Sequence, residues 1–217
     1  LQYVWDLETD PDESNDVVLA AIWGGVVRSA DGGATWTTVL GRDLLNLPPN
    51  ADLNEINSIF YTDIHRTSDN TFYASLSSVT NSNALAPEAG VYRSDDGINW
   101  VRIFPMSFTI NRRTEITSSP SNPNLIYFFT DGQRGYGLRS YNRLTDEVRD
   151  LSENLPVSDG GLGGVDSQES YNMLIKVHPT NPDVVFLGGT NLFRSTDGFR
   201  SNDNTEWIGG YDPVEDD

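Results

Sequence analysis

The residues whose type and spacing come nearest to chemistry are three aspartates set in a repeated frame. They lie in Ser29-Ala-Asp31-Gly-Gly33-Ala-Thr35-Trp36, in Ser94-Asp-Asp96-Gly97-Ile-Asn-Trp100, and in Ser195-Thr-Asp197-Gly198, where the tryptophan is delayed to Trp207. A carboxylate beside a serine hydroxyl could serve as a general base or bind a cation. The same arrangement is also what a tight turn needs: the Asp side chain accepts backbone N–H groups, and Gly supplies a positive φ that a β-carbon opposes. The serine adds a further bond to the bend, and the tryptophan opens the next strand and covers the turn. The structural reading is favoured for Asp31, Asp96 and Asp197, because the frame repeats without a partnering base.

Elsewhere the sequence offers no nucleophile and base in a recognisable pattern, so no catalytic residue is assigned. Glycoside hydrolysis requires two carboxylates facing each other across a sugar, and with 32 Asp and Glu no pair stands out. Arg112-Arg113 could bind an anion, although an exposed basic pair also simply offsets nearby acids. Tyr136, Tyr141 and Tyr171, with loop-like insertions near 81–86 and 133–137, could line a carbohydrate-binding face; the competing reading is core packing and turn cover. Asp159-Gly-Gly-Leu-Gly-Gly164 lacks the lysine and the strand-to-helix setting of a phosphate loop and reads as a flexible connector.

Composition narrows the field. With 14 Lys and Arg against 32 acids, the formal net charge of −18 repels phosphate backbones and anionic lipid, so neither nucleic acid nor direct membrane insertion is expected. The absence of cysteine removes disulfides, thiolate metal sites and cysteine nucleophiles. His65 and His178 lie far apart, so no metal site is assigned and no cofactor is expected. Acid-rich loops leave calcium open as a ligand, without a specific motif to hold it. Leu1–Asp6 has neither the basic start nor the apolar core of a signal peptide, which suggests a mature chain or an excerpt.

The elements that would carry these residues are strands. Short apolar runs alternate with Gly, Asn, Asp, Ser and Pro clusters from end to end, and no stretch sustains a helical period. The last copy shows a four-strand unit: Met173–Val177, a turn at His178–Asp183, Val184–Leu187, Asn191–Arg194, the Asp197 turn, and a strand around Trp207-Ile208. The same order recurs from Tyr3 to Leu40 and from Ile56 to Phe104. In the second copy an insertion falls between about Ser77 and Ala89. The interval between Asp96 and Asp197 is about half as long again as that between Asp31 and Asp96, because it spans a degenerate unit in which Arg143–Glu147 replaces the Asp turn. The fold class expected is all-β, a propeller of four-stranded antiparallel blades, with blades at about 1–41, 55–105, 112–156 and 170–211.

The repeated turn resembles the Asp-box, or BNR, repeat of sialidases, sortilin-type receptor domains and xyloglucan-active glycosidases. Ser29, Asp31, Gly33, Thr35 and Trp36 match its pattern fully; Ser94, Asp96, Gly97 and Trp100 lack the threonine, and Ser195, Asp197 and Gly198 carry an insertion before Trp207. The run Val184–Phe199 with Trp207–Tyr211 is similar to large surface or secreted propellers of Bacteroidetes-type bacteria. The resemblance implies a bacterial protein that is secreted or on the cell surface. It also implies more than four blades, since such propellers close with six or more, so the partner expected is the remainder of the ring, on the same parent protein or another chain. The function it implies is a noncatalytic scaffold or recognition module that binds protein or glycan through its loop face. The alternatives are a glycoside hydrolase, sialidase- or xyloglucanase-like, with catalytic residues partly elsewhere, and a structural component of a secretion or adhesion assembly. A sialidase likeness in Val101-Arg-Ile-Phe-Pro105 is set aside, because that segment follows an Asp turn and reads as an outer strand.

Overall fold

A computed structural model describes residues 3–11, 15–43, 46, 59–78, 88–105, 111–132, 135–157 and 164–211. The expected insertion near 77–89 and the 159–164 connector fall largely outside these residues; of the loop expected at 133–137, residues 133 and 134 fall outside them and Gly135–Gly137 form the start of a strand. Among the described residues sixteen strands are formed, grouped into four antiparallel sheets whose strands neighbour each other in chain order. The first sheet comprises β1 (Val4–Thr9), β2 (Val18–Ile22), β3 (Gly25–Ser29) and β4 (Thr37–Gly41). The second comprises β5 (Ile59–Arg66), β6 (Phe72–Ser78), β7 (Gly90–Ser94) and β8 (Val101–Pro105). In the third are β9 (Asn111–Ser119), β10 (Asn122–Gly132), β11 (Gly135–Asn142) and β12 (Glu147–Asp150). The fourth holds β13 (Leu174–Val177), β14 (Val185–Gly188), β15 (Asn191–Ser195) and β16 (Thr205–Gly210).

The all-β expectation therefore holds, with four sheets of four strands each. The Val101–Pro105 segment is β8, the outermost strand of its sheet. β5 runs from Ile59 to Arg66, with Thr62, Asp63 and Ile64 buried in succession and His65 partly exposed. The third sheet turns at Pro120-Ser121, so Asn122 and Pro123 lie inside the start of β10, where a missing N–H is tolerated.

The chain divides into two compact units, Leu1–Thr114 and Glu115–Asp217. In the first, Leu19, Ala21 and Val26 of the first sheet pack with Ile64 and Ala74 of the second, and Trp100 closes over this cluster. Ala20, Ile22 and Val27 form a smaller cluster covered by Trp36. In the second unit a larger core joins Phe129 and Leu138 to Ile175, Val185, Leu187 and Phe193, with Phe199 and Trp207 against it. Central strands are buried on both faces, as in β2 and β10, so they read as continuous apolar runs. Among the described residues no helix is long and apolar enough to cross a membrane.

Candidate ligand-binding faces

The three Ser-Asp-Gly turns connect the third strand of a sheet to its fourth, and their hydrogen bonds are nearly superimposable in pattern. In the first, Ser29 Oγ donates to Asp31 Oδ1 (2.7 Å) and accepts the Gly33 N–H (2.8 Å). Asp31 then accepts the Thr35 N–H (2.8 Å) and hydroxyl (2.6 Å). These donors, the Thr35 hydroxyl foremost, hold the Asp31 carboxyl down at about 2.

In the second turn Asn99 replaces the threonine, giving Asp96 its backbone N–H (2.7 Å) and side-chain amide (2.7 Å), which lowers the Asp96 carboxyl likewise. In the third, burial pushes the Asp197 carboxyl up, but the Asn204 amide and the Ser195 and Ser201 hydroxyls outweigh it and leave it lowered. Gly33, Gly97 and Gly198 take φ of 93°, 68° and 68°. Every oxygen of these carboxylates is thus engaged by the turn. The degenerate unit solves the same problem otherwise: Asn142 Oδ1 accepts the Leu144 N–H (2.9 Å), and the Tyr141 hydroxyl donates to Asp146 (2.9 Å). Among the described residues, no group of three or more His, Asp or Glu could hold a metal ion.

An aromatic cluster that the sequence did not single out lies in the first unit. Trp5 and Tyr61 meet with ring centroids 4.9 Å apart, Tyr3 stacks on Trp5 at 6.1 Å, and Trp23 meets Tyr3 edge-on at 6.2 Å. The guanidinium of Arg113, one half of the predicted anion-binding pair, lies 6.0 Å from the centre of the Tyr61 ring, a cation–π distance. Arg112 lies at the start of β9, and its side chain is outside the described residues.

Two irregularities in pairing build this cluster: a bulge in β1 between Val4 and Asp6, at Trp5, and one in β5 between Ile59 and Tyr61. Bulges re-aim side chains at strand ends, which is why period-two reading passed over these positions. Trp23 sits at the tip of the two-residue β2–β3 turn, where its N–H donates to the Tyr3 carbonyl (3.1 Å). Tyr3 is 61% exposed and Trp5, Trp23 and Tyr61 are half-buried, so the rings present edges and faces to solvent while supporting one another. Asp63, two residues along the same face of β5 from Tyr61, is buried.

The three tyrosines proposed from sequence separate. Tyr141 is buried, at 1% exposure, and is turned into its own sheet, so it does not line a ligand face. Tyr136 packs on Phe129 at 5.8 Å, and its hydroxyl accepts the Ser167 N–H (2.6 Å) and donates to Ser167 Oγ (3.2 Å). Tyr171 is 81% exposed. Next to it, Gln168, Glu169 and Ser170 take φ of 49°, 60° and 73°, three consecutive left-handed residues without a glycine. Their conformation is held by the buried Asp131 carboxylate, which accepts both the Ser167 hydroxyl (2.8 Å) and the Ser170 hydroxyl (2.7 Å).

No family model matches the sequence, and no curated protein matches it. Solved structures do. The GH74 enzyme of Niastella koreensis matches with a TM-score of 0.58 at 17% identity, covering 93% of this chain and 28% of that one. An exo-β-1,3-galactanase of Phanerochaete chrysosporium, solved with β-1,3-galactotriose, matches with a TM-score of 0.50 at 10% identity, covering 98% of this chain and 50% of the other. At these identities the likeness establishes the fold: the four sheets are blades of a β-propeller. The chain spans 28% and 50% of the length of these two proteins.

Proposed function

We propose that this chain is part of an Asp-box propeller, secreted or at the bacterial cell surface, that recognises glycans through the face bearing Tyr3, Trp5, Trp23 and Tyr61. The aromatic cluster carries the reading. Sugar rings present C–H faces that pack on indole and phenol rings, and a cluster of four partly exposed aromatics has the amphipathic surface such ligands need. Supporting it, the Ser-Asp-Gly turns spend their carboxylates on backbone donors, which suits a fastening role at the blade corners and leaves recognition to the opposite strand ends. Further blades, on the same parent protein or another chain, are proposed to complete the ring.

A hydrolase reading has one observation in its favour, the buried Asp63 on the same strand face as Tyr61. A glycan array combined with a reducing-sugar assay separates the two. Binding without turnover, weakened at least about tenfold by Tyr3→Ala or Tyr61→Ala, supports recognition. Sugar release abolished by Asp63→Asn makes the protein a glycosidase. Absence of glycan binding together with stable co-purification of a protein partner would instead indicate a structural component of an assembly.

A further inference from the structure

We infer that the second unit holds a separate site for a small neutral saccharide, in a cleft beside Tyr136. The cleft has a volume of about 510 Å³, within the ~300–1,000 Å³ typical of small-ligand sites. Its lining combines apolar surface from Tyr136, Pro156 and Val157 with polar groups of Asp166, Thr190 and Asn191. That combination suits a sugar ring, whose C–H face packs on apolar surface while its hydroxyls need acceptors and donors.

Asp166 and Thr190 retain capacity for a ligand. Asp166 accepts the Gln168 N–H through Oδ1 (2.8 Å) and, being exposed, keeps accepting capacity at its other oxygen. The Thr190 hydroxyl has no partner among the described residues. The described lining contains one carboxylate and no Lys or Arg, so it disfavours phosphates and uronic acids and suits an uncharged polyol.

The walls are fixed in advance. The Tyr136 hydroxyl is held by Ser167, which is in turn held by Asp131, and the Asp166 carbonyl accepts the Thr190 N–H (2.8 Å). At Gly189 a β-carbon would lie 2.1 Å from the Asp166 carbonyl oxygen, so only glycine lets the two segments close up here. Backbone strain at Gln168–Ser170 persists because this network over-determines it, and such strain is characteristic of preorganised sites. The cleft shares no residue with the aromatic cluster of the first unit, so the inference stands or falls separately from the proposed function.

The test is calorimetric titration of the whole chain with cellobiose, lactose and maltose, and with digalacturonic acid as the charged comparator. At least one neutral disaccharide is expected to bind saturably. Val157→Arg, at a 76% exposed position, should weaken that binding at least about tenfold, while Leu144→Arg, at an equally exposed position outside both the cleft and the aromatic cluster, leaves it unchanged. NMR cross-saturation from the sugar to the Tyr136 ring and Val157 methyls in the unaltered protein gives an answer even if the variant misfolds. No saturable binding of any neutral sugar, binding indifferent to Val157→Arg, preference for digalacturonate, or no saturation at Tyr136 and Val157 would each overturn the inference.

Discussion

Trp5 and Tyr61 stand on the first strands of two successive sheets, yet their rings meet at 4.9 Å between centroids. The contact ties two blades together at the end where their first strands begin. It also creates an aromatic surface that neither blade has alone. A double-mutant cycle with Trp5→Ala and Tyr61→Ala should give a coupling of about 0.5–1.5 kcal/mol in urea unfolding, the range for aromatic pairs. Strictly additive effects would show that the rings do not support one another.

The three turn aspartates should make stability fall in acid. Their carboxyls are lowered in the folded protein, so the stabilisation is complete above the unfolded value of 3.8 and is lost as pH drops through the folded value, about 2 for Asp31. Thermal melts should therefore show Tm declining from pH 4 to pH 2, and Asp31→Asn should lower Tm at neutral pH while flattening that decline. An unchanged Tm at pH 7 for Asp31→Ala would contradict the fastening role.

Gly198 takes a left-handed φ of 68°, and a β-carbon there would lie 2.4 Å from the Tyr127 hydroxyl. Gly198→Ala should cost about 1–3 kcal/mol by chemical denaturation. Removing that hydroxyl by Tyr127→Phe in the same chain should recover part of the loss, leaving the φ strain.

The left-handed run at Gln168–Ser170 permits a test in the opposite direction. Glu169 is exposed with φ of 60°, so Glu169→Gly should stabilise the protein by about 1 kcal/mol by relieving the β-carbon. Asp131→Ala should cost about 3 kcal/mol, because it strands the buried Ser167 and Ser170 hydroxyls that the carboxylate accepts.

Solution scattering addresses the number of blades. On the proposed reading that further blades complete the ring, the chain by itself should scatter as an open or associating particle. A compact monomeric four-bladed ring would show that no further blades are needed.

The local sequence by itself determined the strands and the turns. Alternating and apolar runs, broken by Gly, Asn and Asp, set the four-strand order, and the Ser-Asp-Gly frame carries its own hydrogen-bond partners within a few residues, as Ser29, Asp31 and Thr35 show. Even the degenerate third unit was legible from its altered spacing. What lay beyond the sequence depended on contacts between distant segments. Bulges at the starts of β1 and β5 brought Trp5 and Tyr61 together, the packing of the third sheet buried Tyr141, and Asp131 reached across to Ser167 and Ser170. A bulge shifts the pleat by one residue and a long-range carboxylate recruits its partners only after folding, so neither leaves a periodic trace in the chain. The tertiary structure thus buried Tyr141, set Tyr136 in the wall of a cleft, and assembled an aromatic cluster that the sequence had not singled out.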